Sequence, residues 1–192
     1  MIQKKVPVGL SNRHLHVSQE HLDILFGSGY QLTEYKVLTQ PGQYACEEKV
    51  DIVGPKRTIK GVRILGPVRK ETQVELSVAD GYTLGLKPPV RDSADLEGSP
   101  GVKLVGPKGE VELEQGVIVA ARHIHMHPDD AKAFGVEDFQ RVKVRVEGFR
   151  GLVFENVLIR VSPSYALDMH IDVEEGNAAG LKNGAMVEVI TC

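Results

Sequence analysis

The chain has 192 residues, which at a working size of about 150 residues per domain means one or two compact units with a real core. Basic residues number 23 against 26 acidic ones, a net charge of -3 that argues against a chain-wide electrostatic grip on nucleic acid. Aromatics make up 5% and tryptophan is absent, so stacking on bases is disfavoured too. In chain order, a short strand is expected near Val6 and Val8, then a helix over residues 18–26. Ser18 caps that helix, Leu22, Leu25 and Phe26 share one face, and Gly27 ends it. Period-two alternation predicts strands over residues 50–53, 58–64, 73–76, 111–113, 142–146 and 157–161. Gly54-Pro55, Gly66-Pro67, Gly106-Pro107 and the segment 148–151 punctuate them as turns. No apolar run approaches the ~20 residues of a membrane span and no charged-then-apolar leader opens the chain, so no membrane partner is expected. The fold class is mainly β, two small β-barrel domains with a few short helices.

Internal repeats sharpen this picture. Val50-Asp51-Ile52-Val53-Gly54-Pro55-Lys56 is echoed by Val102-Lys103-Leu104-Val105-Gly106-Pro107-Lys108. Asp129-Asp130, Ala133, Gly135-Val136 and Val142 match Glu174-Glu175, Ala178, Gly180-Leu181 and Val187, each copy predicting a short helix, a glycine turn and a strand. Arg13-His14-Leu15-His16-Val17 recurs as Arg122-His123-Ile124-His125-Met126, and the C-terminal repeat makes His170 equivalent to His125. Residues 13–120 are expected to form one unit, inserted between a segment 1–12 and a segment 121–192 that together form the other.

On a strand, positions i and i+2 project to the same face. His14 with His16, and His123 with His125, each present two imidazoles side by side, while Leu15 and Ile124 point into a core. Neutral imidazole is the common nitrogen ligand of zinc, although cobalt, nickel and iron suit the same donors. A single His-x-His is usually an ordinary paired or solvated histidine, but repetition of the motif together with His170 favours metal binding. Five imidazoles exceed the three protein ligands of one catalytic zinc, so two metals are the simplest arrangement. A carboxylate would complete it, and spacing does not select one among 26 acids. Glu75 fits between Val74 and Leu76, as would an outward-facing glutamate. His127 reads as a helix-start residue, and His21 as a structural or exposed one.

Residues 56–70 hold six basic side chains and no acid, a local bias suited to phosphate groups or to a solvated hairpin face. No glycine-rich phosphate loop and no nucleophile elbow is present. Cys46 lies beside Glu47 and Glu48, which raise a thiol pKa and oppose a nucleophilic role. With Cys192 it makes a total of two cysteines, too few for a disulfide framework, so a reducing cytosol is expected.

Ser11-Asn12-Arg13-His14-Leu15-His16, Ala121-Arg122-His123-Ile124-His125-Met126 and Asp168-Met169-His170-Ile171-Asp172 with the segment 174–181 resemble the phosphate propanoyltransferases. These phosphotransacylases are associated with propanediol-utilisation microcompartments. The resemblance covers essentially the whole chain. It implies two β-barrel domains with a two-zinc site between them, interconverting acyl-CoA plus inorganic phosphate with acyl phosphate plus CoA. By position it implies His14, His16, Glu75, His123, His125 and His170 as ligands of two zinc ions per chain. Arg69 follows as the phosphate-binding, catalytic arginine, and Ser93, Arg160, Gln40 and Gln43 as further residues of the phosphate site. Lys56, Arg57 and Lys60 are the part of the basic hairpin expected to receive the CoA phosphates. The family suggests a homodimer. The N-terminal targeting extension of microcompartment members has no counterpart ahead of Val6-Pro7-Val8, so a cytoplasmic enzyme is expected rather than one in the compartment lumen.

Residues and resemblance describe one scheme. In it, Arg69 together with a zinc ion would hold phosphate near the thioester carbonyl, and arginine or metal would stabilise the developing oxyanion without a covalent enzyme intermediate. A dinuclear zinc hydrolase and a non-catalytic metal-stabilised binding module are the competing readings.

Overall fold

A computed structural model describes residues 4–191; Cys192 lies outside them. The chain opens with β1 (Lys5–Ser11), β2 (His14–His16) and helix α1 (Gln19–Phe26). Strands β3 (Glu34–Val37), β4 (Tyr44–Val53) and β5 (Thr58–Gly66) follow, and β6 (Gln73–Glu75) leads into α2 (Val78–Leu84). Next come β7 (Val90–Arg91), β8 (Val102–Val105), β9 (Glu110–Leu113) and β10 (Val117–Ala120). The last third runs β11 (His123–Met126), α3 (Pro128–Phe134), β12 (Arg141–Val146) and β13 (Leu152–Val161). It ends with β14 (Asp168–Asp172), α4 (Val173–Ala179) and β15 (Met186–Ile190). The protein is mainly β, and no helix among the described residues is long and apolar enough to cross a membrane.

Two compact units emerge. One comprises the described residues up to Ser11, a short piece Thr39–Pro41, and the described residues from Ala121 onward. Its six strands close into a barrel in the order β1-β14-β11-β13-β12-β15, with β15 returning antiparallel to β1. Alternation drives the closure: in β12, Val142, Val144 and Val146 turn inward while Arg141, Lys143 and Arg145 face solvent. Val6, Val8, Ile124, Met126, Ile159 and Met169 fill the interior, each essentially inaccessible, and each such burial contributes about 1.5–3 kcal/mol. The repeated helix-glycine signal corresponds to matching structure. α3 ends on Gly135 and α4 on Gly180, both left-handed, with the next apolar residue donating back to a helix carbonyl: Val136 to Ala131 and Leu181 to Gly176.

The other unit, residues 12–38 and 42–120, is a nine-stranded sheet curled into a half-barrel. Its path runs β7-β10-β6-β2-β5-β4-β8-β9, with β3 pairing on β4. Leu15, Ile52, Ile64, Val74 and Leu104 form its core together with Leu22 and Leu25 of α1 and Leu84 of α2. α1 follows its predicted signals, with the Ser18 hydroxyl accepting from the His21 N–H. α2 carries no visible helical period, being seven residues with Gly81 inside. Its local signals are the Ser77–Asp80 capping box, in which each side chain accepts from the other's backbone N–H, and the left-handed Gly85 that ends it.

The Gly-Pro-Lys repeat has a packing explanation. In the first copy the Lys56 N–H donates to Leu84 O of α2 (2.9 Å), and in the second the Lys108 N–H donates to Leu25 O of α1 (3.0 Å). Each hairpin turn thus satisfies a carbonyl near a helix C-terminus that the helix leaves unpaired. The glycines permit the approach, since a Cβ on Gly106 would lie 2.5 Å from Leu25 O and one on Gly54 2.4 Å from Leu84 O. Gly106→Ala is therefore expected to destabilise the protein by about 1–3 kcal/mol, because backbone atoms cannot yield to overpacking. The check is a urea-unfolding midpoint, and an unchanged midpoint would show that this turn is not seated on α1.

Candidate metal centres

Four strands lead into short helices by the same local device, a strand followed by an N-cap. The caps are Ser18, Ser77, His127 and Asp172, heading α1, α2, α3 and α4. Counting back four and two residues from each cap yields His14 and His16, Gln73 and Glu75, His123 and His125, Asp168 and His170. Strand alternation puts each pair on one face. Antiparallel pairing then joins the pairs two by two: β2 against β6 sets His14 opposite Glu75 and His16 opposite Gln73. In the barrel unit, β11 against β14 sets His123 opposite His170 and His125 opposite Asp168.

Two triads result, His14–His16–Glu75 in the sheet unit and His123–His125–His170 in the barrel, with donor atoms in each lying within 4.8 Å of one another. His14 Nε2 is 3.5 Å from a Glu75 carboxylate oxygen, and His123 Nε2 is 3.0 Å from His125 Nε2. Backbone carbonyls orient three of the five rings. His14 Nδ1 meets Asn12 O at 2.8 Å, His16 Nδ1 meets Leu65 O at 3.1 Å, and His123 Nδ1 meets Ala121 O at 2.8 Å. A carbonyl oxygen only accepts, so each neutral ring carries its proton on Nδ1 and turns a bare Nε2 lone pair into the cluster. His125 Nδ1 is the buried side-chain nitrogen that lacks a hydrogen-bond partner among the described residues.

Electrostatics favour the neutral, ligating form of His16 and His125. Burial, then the neighbouring His14 and Arg69, lower His16 to about 3, with Glu75 opposing. Burial, then His123 and His170, lower His125 to about 2. Converging neutral imidazoles, one carboxylate and no thiolate form a donor set that fits zinc.

The remaining expected residues fall in several places. Arg69 is half-buried, sits close enough to His16 to lower its pKa, and lies 3.5 Å from the Ser93 hydroxyl. Ser93 Oγ accepts from the Gln73 amide at 2.9 Å and donates to Glu75 at 3.3 Å. Gln73, buried and bonded to Glu75 at 2.5 Å, was not expected from the sequence, although its place two residues before Glu75 on one strand face was a usable signal. In the barrel, Arg160 is the register partner of His125 and stands over the Tyr165 ring. Tyr165 also packs edge-on against His125, with ring centroids 4.4 Å apart. Gln40 is buried with its amide bonded to Ala166 O and its carbonyl accepting from the Ala166 N–H, which ties the Thr39–Pro41 piece to the barrel. Gln43 accepts through its backbone carbonyl from the Leu38 N–H, closing a turn of the sheet unit. Lys56, Arg57 and Lys60 are exposed on the β4–β5 hairpin, with Lys56 over the Tyr82 ring. His127 caps α3, and His21 bonds Thr72 Oγ1 at 2.7 Å. Burial and then the Glu48 charge push the Cys46 thiol up to about 12, so it stays protonated and non-nucleophilic.

Fold and triads together define a mainly β protein carrying two histidine-rich clusters suited to metal. A family model described as phosphate propanoyltransferase matches residues 7–182. A phosphate propanoyltransferase of Thermotoga maritima is 58% identical over 184 residues, covering 95% of this chain and 88% of that protein. One from Rhodobacter capsulatus is 57% identical over 184 residues (96% and 86% covered), and one from Salmonella typhimurium 52% over 184 (95% and 87%). The chain belongs to the phosphate propanoyltransferase family and is an acyltransferase.

Proposed function

We propose that the protein transfers a short acyl group, propionyl or acetyl, between CoA and inorganic phosphate, with two zinc ions per chain. The observation that supports this most is the pair of triads whose donor atoms gather within 4.8 Å, with His14, His16 and His123 turning Nε2 lone pairs inward, while Arg69 stands beside one of them. His14, His16 and Glu75 would hold one ion, and His123, His125 and His170 the other. When bound, zinc supplies Lewis-acid stabilisation of negative charge on oxygen or sulfur.

The chain's own residues account for the rest. The Arg69 guanidinium offers a planar fork to two phosphate oxygens, which orients a third oxygen for attack on the thioester carbonyl. As the carbon–oxygen bond forms, the carbon–sulfur bond breaks and CoA leaves as a thiolate, so little acid assistance is required. His16, held neutral by burial, keeps a ring lone pair available to a metal ion. The Ser93 hydroxyl and Gln73 amide fix the Glu75 carboxylate by hydrogen bonds. Arg160 supplies a second positive charge beside the barrel triad. Lys56, Arg57 and Lys60 offer the CoA phosphates a basic, solvent-facing hairpin.

The test is thiol release from propionyl-CoA, with acyl phosphate trapped as its hydroxamate. Release should fall to background when phosphate is omitted, and hydroxamate should match thiol in amount. Thiol release at the same rate without phosphate would identify a hydrolase. No turnover with metal fully bound would identify a binding module.

A further inference from the structure

We propose that Asp168 completes the three-histidine centre of the barrel, supplying the carboxylate charge that Glu75 supplies to the other centre and orienting His170 toward the same ion. The inference rests on the two-zinc reading above and concerns a residue outside both triads.

The repeated frame carries the assignment. Each centre is built from four positions, the residues four and two before a cap on each of two antiparallel strands. In the sheet unit those positions hold His14, His16, Gln73 and Glu75; in the barrel they hold His123, His125, Asp168 and His170. His170 therefore occupies the place of Glu75, and Asp168 the place of Gln73. The acid and the neutral residue have exchanged positions, and each centre retains one carboxylate. In the sheet unit the neutral Gln73 bonds the ligating acid; in the barrel Asp168 Oδ2 lies 3.1 Å from Nε2 of the ligating histidine.

The surroundings hold that carboxylate in place. Asp168 is 2% exposed, and Thr39 Oγ1 donates to its Oδ2 at 2.6 Å. Gly9, the register partner of His170, has no side chain to interfere: a Cβ there would come within 3.0 Å of both Asp168 Oδ2 and the His170 ring. Charge points the same way. Three neutral imidazoles leave a divalent cation uncompensated, and Arg160, the register partner of His125, adds further positive charge. A buried cation needs a nearby anion, and Asp168 is the carboxylate in contact with a ring of this triad: as an acceptor it takes the Nε2–H of His170 and leaves Nδ1 as that ring's lone pair. Residues that orient metal-ligating histidines in this way typically alter metal affinity by about 10–100-fold when replaced.

The experiment is competition for zinc between the whole protein and a chromophoric chelator. Wild-type protein should bind two equivalents; fewer than two would refute the two-zinc reading itself, independently of Asp168. Asp168→Asn, which keeps the size and removes the charge, should weaken one zinc by about 10–100-fold and leave the second within twofold. In a His16→Ala background, which disables the sheet-unit centre, the remaining zinc should be the one that Asp168→Asn weakens. Thr39→Val, lacking the hydroxyl, should weaken the same zinc by a smaller factor. The metal-free forms of wild type and Asp168→Asn should melt within a few degrees of each other. Two zinc affinities within twofold of wild type in Asp168→Asn would overturn the proposal. So would parallel weakening of both sites with a large fall in metal-free melting temperature, because that pattern marks a structural role only.

Discussion

Replacing His123 with alanine is expected to lower the zinc content from two ions per chain to one and to cut phosphate-dependent CoA release by about 10³-fold. His123 contacts both other members of its triad: its Nε2 faces His125 Nε2 at 3.0 Å, its ring lies 5.3 Å from that of His170, and its Nδ1 is anchored on Ala121 O. Its loss leaves two imidazoles, below the three protein ligands that an open zinc site uses. Removing a single preorganised stabiliser of transition-state charge costs about 10²–10³-fold, and losing an ion removes more than one such contact. The fold should survive, because the neighbouring Ile124 and Met126, not His123, carry the barrel core. Metal analysis by mass spectrometry, alongside circular dichroism and the thiol assay, reads all three quantities. A variant that keeps two zincs and full turnover would remove the barrel triad from the mechanism. His14→Ala should behave in the same way for the sheet-unit centre, since His14 faces Glu75 as His123 faces His170.

Arg69→Ala should leave two zincs bound and lower kcat/KM for phosphate by about 10²–10³-fold, the scale expected when a charged donor to a reacting oxyanion is lost. Arg69 is not placed to be a ligand, yet its charge reaches His16, and its guanidinium lies at the Ser93 hydroxyl that bonds Glu75. The KM for phosphate should rise at least tenfold while the KM for propionyl-CoA moves little. Arg69→Lys should recover only part of the loss, since lysine restores the charge without the two-pronged geometry. Initial rates over a phosphate series decide the matter. An unchanged phosphate KM would transfer the role to Arg160 or to the metal centres alone.

Both predictions start from motifs visible along the chain, and much of the site does not. A His-x-His motif needs only the two-residue period of a strand, so His14 with His16 and His123 with His125 could be assigned to one face without any tertiary information. Ser18 as a cap, the glycines ending α3 and α4, and the alternation of β12 are equally local. α2 is not legible along the chain because its seven residues show no apolar period, and a Ser-x-x-Asp box with a following glycine is a common pattern without one.

Glu75 stands differently. Among many acids flanked by apolar residues, it is singled out when β6 pairs with β2 in a register that sets it against His14. Gln73 and Asp168 share a strand face with Glu75 and His170 two residues on, a local relation that gains meaning only once those partners are placed, and Thr39 depends on a three-residue piece of chain that joins the barrel while its neighbours belong to the sheet unit. Strand register between distant segments is set by burial of whole faces and closure of the barrel, properties that no short window of sequence contains. The sequence by itself therefore determined which imidazoles travel in pairs and that the fold is mainly β. Tertiary structure decided which carboxylate each pair meets, because that choice is made by strands that touch only after the chain has folded.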